Sequence, residues 1–209
     1  VSTADDATLE LVMRALGAPA REGVLHENAG TSRYLPGALV TQLADALCAA
    51  ATAAAHPIPA AGALVLANQS WGAGAAPQLH CIDGLAASGD SVSLAGNFTG
   101  AGILVGRNAD LILDGAFRWE GLVLVSGSDV SLRTTGAAAK DLFGAALVNE
   151  TGIPVAGRKI VDMQGALRIL FSRRALGGAS AVMPPATASI AYESLPSIIS
   201  QDYWRTLTP

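Results

Sequence analysis

The feature that most constrains the fold is a repeat of about 19 residues within the range 91–148, a period that is typical of solenoid coils and too short for a helix pair. Four pairs of identical residues recur at this spacing: Leu94 and Leu113, Gly96 and Gly115, Phe98 and Phe117, and Gly102 and Gly121. The range 144–148 then repeats the line at 121–125 after a short insertion. The alternative is a β-meander that repeats by chance.

The residues within each copy predict short strands. Apolar residues alternate with small or polar ones at Val92 and Leu94, and again at Leu111 and Leu113, which is the pattern of a strand with one buried face. The run that follows in each copy is continuously apolar, as in a strand that is buried on both sides or packed under a neighbour. We therefore expect a mainly β protein containing a short, single-stranded β-solenoid with a few coils of about 19–23 residues.

Glycines mark the predicted corners between these strands. Gly96 and Gly102 in one copy match Gly115 and Gly121 in the next. Only glycine adopts positive φ without a steric penalty from Cβ, so it favours points where the chain turns sharply. A close approach of the neighbouring coil is a second possible reason for glycine at these positions. Either reason predicts that alanine at Gly115 or Gly121 lowers stability.

The shared spacing also predicts which side chains meet between coils. We expect Leu94, Leu113 and Leu132 to form one apolar column, because Leu132 follows Leu113 by the same interval that separates Leu113 from Leu94. Phe98 and Phe117 are expected to form a second column. Such ladders would hold the solenoid core together.

The rest of the chain divides around the repeat. Residues 1–62 are predicted to form a helical region with two helices, at 3–16 and 36–55, that cap or flank the solenoid. The solenoid itself is placed at 63–174. Residues 175–209 are rich in alanine, proline and serine at their start and are predicted to form an irregular C-terminal tail or cap.

Composition excludes some classes of function. The chain of 209 residues is 51% hydrophobic, which is enough to bury a core and excludes a disordered protein. Its formal net charge of −4 argues against nucleic acid as a partner, since such proteins normally carry a basic stripe. No apolar run reaches the roughly 18 residues of a membrane span.

The two cysteines, Cys48 and Cys81, are compatible with one disulfide or with two buried thiols, and the sequence does not choose between them. If the protein is exported, a disulfide is favoured, because exported proteins fold in oxidising compartments. Such a bond would place the second predicted helix against the first solenoid coil.

Residues for catalysis or metal binding do not form a recognisable motif. The histidines His26, His56 and His80 lie far apart in the sequence, and no Cys-x-x-Cys or His-x-x-x-His pattern occurs. The best pair of carboxylates for a carbohydrate-active enzyme is Asp114 and Glu120. Both stand at predicted turns where acidic residues are common, so we expect a non-enzymatic protein without a metal or cofactor.

An adhesin or ligand-binding module is the second hypothesis for the function. Its specificity would lie in the loops at 68–77 and 134–140, because recognition residues concentrate on loops carried by rigid scaffolds. Trp71, Trp119 and Trp204 are candidates for stacking on sugars, although a tryptophan at a coil corner more often packs in the core.

Residues 102–106 and 111–125 resemble a line of the PilX-type, minor-pilin-like proteins associated with type IV pilus assembly. Residues 143–149 and 165–172 are similar to later lines of that family, and Tyr203-Trp204-Arg205 is similar to its closing aromatic motif, although Thr206 departs from it. The resemblance covers about residues 79–205. The family's hydrophobic N-terminal helix has no counterpart after Val1, so we expect contact with a membrane only through a helix that would precede this region.

The resemblance implies an exported structural protein of the cell envelope, the pilus or the extracellular space. Its implied partners are other pilin or pilus-assembly subunits, with a surface ligand as a further possibility. It implies no active site. An adhesin or carbohydrate-binding module, and less favourably a carbohydrate-active enzyme, stay as alternatives.

Overall fold

The structure is a computed structural model that describes residues 37–51, 55–57, 62–85, 89–152, 159–185 and 187. The described residues belong to one compact unit, Gly37–Ala191. Its elements in chain order are α1 Gly37–Ala50, β1 Ala55–Pro57, β2 Ala63–Ala67, β3 Ser70–Trp71, β4 Gln78–Asp83, β5 Ser91–Arg107, β6 Asp110–Gly127, β7 Leu132–Thr135, β8 Lys140–Glu150, β9 Val161–Met163, β10 Leu167–Leu170 and α2 Arg173–Ala181. The predicted helix at 3–16 and the aromatic motif at 203–205 lie outside the described residues.

The unit is a β-solenoid of about four turns, as the repeat predicted, with two helices. All ten strands join one sheet in which neighbours run parallel. The longest pairing joins β5 to β6 over their whole length, from Ser91 beside Asp110 to Arg107 beside Ser126. Helix α1 falls within the predicted helix at 36–55 and ends before its predicted end.

Each coil has three faces separated by two corners. In β5 the first face is residues 91–95, the second is 97–101 and the third is 103–107, with the corners at Gly96 and Gly102. The first face is formed by β2, β7, β9 and the first parts of β5 and β6. The second face contains β3, β10 and the start of β8, and the third contains β1, β4 and the rest of β8.

Both proposed reasons for glycine at the corners apply. Gly115 has φ +124° and Gly121 has φ +145°, values that residues with a Cβ atom rarely adopt. A Cβ atom at Gly115 would also collide with the carbonyl oxygen of Gly96, and one at Gly121 with that of Gly102. The corners of adjacent coils therefore stack more closely than any side chain permits.

The predicted columns are present for two pairs, but the position of Leu132 was wrong. Leu94 lies beside Leu113, and Phe98 lies beside Phe117 with the ring centroids 5.9 Å apart. Leu132, however, lies beside Leu111 and not beside Leu113.

The length of one turn explains this shift. Two residues join the third face of β5 to the next first face, at 108–109, whereas four residues, 127–130, make the same connection after β6. A shift of two residues keeps a side chain on the same side of a strand, because side chains alternate with period two. Leu132 therefore remains in the core, only one column away from its predicted place.

The spacing that separates Leu94 from Leu113 holds only between β5 and β6. The interval between partners is longer from Leu111 to Leu132 and longer again from Gly121 to Gly144, within the range predicted for the coils. In the outer coils the interval exceeds that range, since Leu64 lies beside Val92. Longer connections in these coils hide the repeat from a search at fixed spacing.

On the second face, the interior of the solenoid contains large side chains next to a glycine, which has no side chain. Trp71, Gly100, Trp119 and Leu142 occupy one column. The ring of Trp119 fills the space beside Gly100, where even a Cβ atom would collide with it. Trp119 is fully buried, and its indole N–H has no hydrogen-bond partner among the described residues.

A short helix, α2, lies where the sequence predicted irregular chain. Its N-terminus is capped by Ser172, whose Oγ accepts a hydrogen bond from the Ala175 amide at 3.2 Å. Gly177 and Gly178 give the segment a low helix propensity, which explains the wrong prediction. The helix contacts β5, β6 and β8, and it buries Ala175 and Ala179, four residues apart on one side.

Candidate functional site

The third face of the solenoid is covered by α1, which explains why its strands are apolar on both sides. The interior cluster is the set of buried apolar side chains that point into the coils, such as Leu104 and Val123. Four other residues of this face are also buried but lie outside that cluster: Ile103, Val105, Leu122 and Leu124. Helix α1 contacts β4, β5, β6 and β8, and it buries Val40, Leu43, Ala44, Leu47 and Cys48. The helix and this face thus form a second apolar layer outside the coil.

A disulfide between Cys48 and Cys81 joins the C-terminal part of α1 to β4. The two Cα atoms are 5.1 Å apart, within the usual range for such a bond. The pairing expected for an exported protein is therefore present, and it links the helix to the first coil, which consists of β2, β3 and β4. No free cysteine is present in the described part of the chain.

Arg107 makes a second link between α1 and the coils. Its Nε donates to Asp83 Oδ1 at 2.8 Å, and one of its terminal nitrogens donates to Asp45 Oδ1 at 3.1 Å. These bonds, chiefly the one to Asp83, raise the pKa of Arg107 despite partial burial. One guanidinium thus joins the helix to the first and second coils.

Asn149 makes a third link, at the N-terminal end of α1. Its Nδ2 lies 3.0 Å from Gly37 O, 3.0 Å from Thr41 Oγ1 and 3.1 Å from Ser126 Oγ. The helix is therefore fixed at both ends and near its middle on the third face. None of the helices in the described ranges is long and apolar enough to cross a membrane.

The structure does not bring Asp114 and Glu120 together as a catalytic pair. Asp114 is exposed at the end of the first face, where it accepts a hydrogen bond from Thr135. Glu120 is at the end of the second face and forms an ion pair with Arg118 at 3.0 Å. A whole second-face strand separates the two carboxylates, so they are roughly 15–20 Å apart along the chain. Glycosidases need their two carboxyl groups within about 10 Å.

The two tryptophans in the described residues serve packing. Trp71 is buried and stacks on His80 with the ring centroids 4.3 Å apart, and it meets the Phe98 ring edge-on at 4.9 Å. Trp119 is fully buried. Neither ring offers a face to a sugar. Trp204 and His26 lie outside the described residues, as does the side chain of His56.

A buried charged residue that was not identified from the sequence follows Phe117 in the phenylalanine column. Lys140 lies beside Phe117 and is fully buried, and its Nζ donates to the carbonyl oxygens of Ala138 at 2.9 Å and Gly136 at 3.4 Å. The signal that could have placed it is its offset from Phe117, which equals the offset between Gly121 and Gly144. The hydrogen bonds from Lys140 thus hold the loop at 136–139 next to the core.

A second missed group lies on the first face. Asp110 is buried, accepts a hydrogen bond from Ser131 Oγ at 2.7 Å and pairs with Arg133 at 3.2 Å. Its carboxylate is therefore satisfied by its neighbours in the next coil. Across the residues that the structure describes, no group of three or more histidine, cysteine or acidic side chains is placed to hold a metal ion.

The last coil carries most of the large apolar side chains that are exposed in the described unit. Its strands β9 and β10 carry exposed apolar residues, among them Met163, whose exposed fraction is 51%. Arg168 holds β10 to β8 through two hydrogen bonds to Asp141, at 2.6 and 2.8 Å. The guanidinium lowers the pKa of the Asp141 carboxyl, mainly through these bonds.

No family profile, curated protein or solved structure gave a significant match to the chain in the comparisons with known proteins.

Proposed function

We propose that this protein is an exported structural subunit of a cell-envelope assembly, a minor-pilin-like component of a type IV pilus or a related secretion or adhesion machine. The disulfide between Cys48 and Cys81 is the observation that carries the proposal. Disulfides form and persist in oxidising compartments and are rare in the cytosol. Export therefore accounts for a feature that a cytosolic protein would seldom have.

The way α1 is attached also supports a structural role. A disulfide, an arginine shared between two carboxylates and an asparagine amide all fix one helix to one face of the coils. Such an arrangement gives a rigid body, which suits a subunit that transmits contacts to its neighbours. The proposed partners are other pilin or pilus-assembly subunits.

The first test is the state of the cysteines in the cell. The full-length gene product is expressed at its natural level, and free thiols are labelled with a maleimide reagent before and after reduction. We expect no labelling of Cys48 and Cys81 before reduction and recovery of the protein with the envelope fraction. Labelling before reduction, with the protein in the cytosolic fraction, would refute export.

The second test concerns assembly. A strain that lacks the gene should lose or shorten a surface appendage visible by electron microscopy, and the wild-type gene should restore it. Unchanged appendages in the deletion strain would contradict the structural role, even if the protein is exported.

The disulfide also has a measurable effect on stability. Because it joins cysteines separated by 33 residues, the chain-entropy relation predicts that Cys48→Ser with Cys81→Ser lowers the free energy of unfolding by roughly 3–4 kcal/mol. Urea denaturation of the oxidised wild type and of the double variant measures this difference. A reduced wild-type sample is the matched control and should behave like the variant.

A further inference from the structure

The two ends of the solenoid differ in a complementary way. Each face contains five described strands: β2, β5, β6, β7 and β9 on the first, β3, β5, β6, β8 and β10 on the second, and β1, β4, β5, β6 and β8 on the third. The third face begins one coil earlier than the other two. Its strand β4 belongs to the same coil as β2 and β3, and β1 pairs with the outer edge of β4. The third face also ends one coil earlier, because the described chain passes from β10 to α2 without a further third-face strand.

The last coil exposes an apolar edge. Exposed hydrophobic side chains are concentrated there: Ile160, Val161, Met163, Ile169, Leu170 and Phe171. Val161 continues the core column of Leu132, and Met163 continues that of Thr134. Among the described residues, β9 pairs only with β7 and β10 only with β8, so each strand has one outer edge without a strand partner.

The first coil presents matching columns at the other end. The column that ends at Val161 begins at Leu64, and the column that ends at Met163 begins at Leu66. Both leucines are half-buried and pack against the interior cluster. A first coil placed on a last coil would continue both columns with side chains of the same chemical kind.

We infer that the open end of the last coil binds the first coil of a second copy of this chain, head to tail. In this arrangement β2 and β3 of the second copy pair with β9 and β10. Strand β1 of the second copy fills the third-face position above β8, which no described strand of the first copy occupies. All three faces then continue with the parallel pairing and the spacing of about 4.8 Å found between ordinary strands.

A head-to-head dimer fits less well. It would oppose the two last coils, and neither copy has a described strand for the third face at that junction. The head-to-tail contact has no such gap. Because it joins unlike surfaces, it does not close on itself and can extend into a filament. Strands β9 and β10 contain only three and four residues, so we expect the contact to depend on protein concentration.

Disulfide trapping tests the register of this contact. Wild-type protein has two cysteines, bonded to each other, so an added cysteine reports on the contact alone. Leu66→Cys and Met163→Cys proteins are mixed and oxidised. Because register partners on adjacent strands are about 5 Å apart, head-to-tail stacking predicts a crosslinked dimer that contains one of each variant.

The outcomes are distinct. A dimer formed by Met163→Cys protein alone would show a head-to-head contact and overturn the inference. Absence of any crosslinked dimer, together with a monomer at all concentrations in sedimentation, would also overturn it. Because Leu66 is half-buried, thermal melts of both variants serve as the control for retention of the fold.

A charge at the exposed edge gives an independent test that avoids the core. Lysine on an edge strand opposes pairing with another strand. We expect sedimentation of wild-type protein to show association that rises with concentration, and Met163→Lys to remain a monomer. Thr99→Lys is the matched control, since Thr99 is exposed on an inner coil, and it should associate like wild type. Equal association of the two variants would contradict the stacking.

This inference rests on strand order and exposure and not on export. The stacking experiments use purified protein, whereas the thiol and appendage experiments use cells. Failure of one set therefore leaves the other interpretable.

Discussion

Replacement of Gly121 by alanine is the most direct test of why the coils stack as they do. Gly121 combines φ +145° with a backbone neighbour so close that a Cβ atom would collide with the carbonyl oxygen of Gly102. The same relation repeats one coil later, where a Cβ atom at Gly144 would collide with the carbonyl oxygen of Gly121. We expect Gly121→Ala to destabilise the protein although it removes no contact.

The magnitude follows from two separate costs. Holding a residue with a Cβ atom in a sparsely populated backbone region costs about 1–3 kcal/mol. Inserting a methyl group where the backbone of the next coil cannot easily move adds about 1–3 kcal/mol, as in other overpacked sites. Their sum is about 2–6 kcal/mol. For a chain of this size, at about 2–4 °C per kcal/mol, it lowers the melting temperature by roughly 4–24 °C.

Three further glycines separate the two costs. Gly177 lies within α2 with open space around it, and alanine there should stabilise by about 0.5–1 kcal/mol. Gly89 has φ +61° but also open space, so alanine there should cost about 1–2 kcal/mol from the backbone alone. Gly100 has no positive φ but lies against the Trp119 ring, so it reports the collision alone.

The assay is thermal and urea denaturation followed by circular dichroism on all four alanine variants and the wild type. The expected order of stability is Gly177→Ala, wild type, Gly89→Ala and then Gly121→Ala, and Gly100→Ala should also be less stable than wild type. A Gly121→Ala protein as stable as wild type would refute the close-stacking explanation. Equal losses at Gly89 and Gly121 would show that the backbone conformation acts alone.

Two other predictions concern the core and the surface. Leu113→Ala should cost about 2–5 kcal/mol, because Leu113 is buried between Leu94 and Thr134, whereas Ile112→Ala, on the outer side of the same strand, should cost clearly less in the same urea titration. Arg168→Ala should raise the pKa of Asp141 toward its ordinary value of 3.8, as measured by NMR titration. Since the folded pKa lies below that value, the pair stabilises the protein fully above it and loses this effect as the pH falls through the folded pKa. An unchanged pKa in the variant would contradict the hydrogen-bonded pair.

The repeat determined the fold class and much of the register from sequence alone. Identical residues at a constant spacing indicated parallel coils, and the structure places Gly96 beside Gly115 and Phe98 beside Phe117. This worked because a solenoid requires each coil to match its neighbour position by position. The continuously apolar run at 103–105 also indicated a strand covered on both sides, and α1 covers it.

Only the tertiary structure decided where the repeat changes length. A connection two residues longer moved Leu132 to a neighbouring column, and no local pattern indicated it because both columns are apolar and inward-facing. Helix α2 was missed for a similar reason, since Gly177 and Gly178 oppose a helix that packing of its alanines against the coils stabilises.

The side-chain interactions were also beyond the sequence. A lysine in a strand is ordinarily exposed, yet Lys140 is buried. Its Nζ donates hydrogen bonds to carbonyl oxygens of the loop that precedes it, at Gly136 and Ala138. The spacing of the two central strands β5 and β6 and the identity of their corner residues are local properties that repeat along the chain, so the sequence determined them. The burial of a charge, the cover on the third face and the matching ends depend on segments far apart in sequence, and only their arrangement in space decided them.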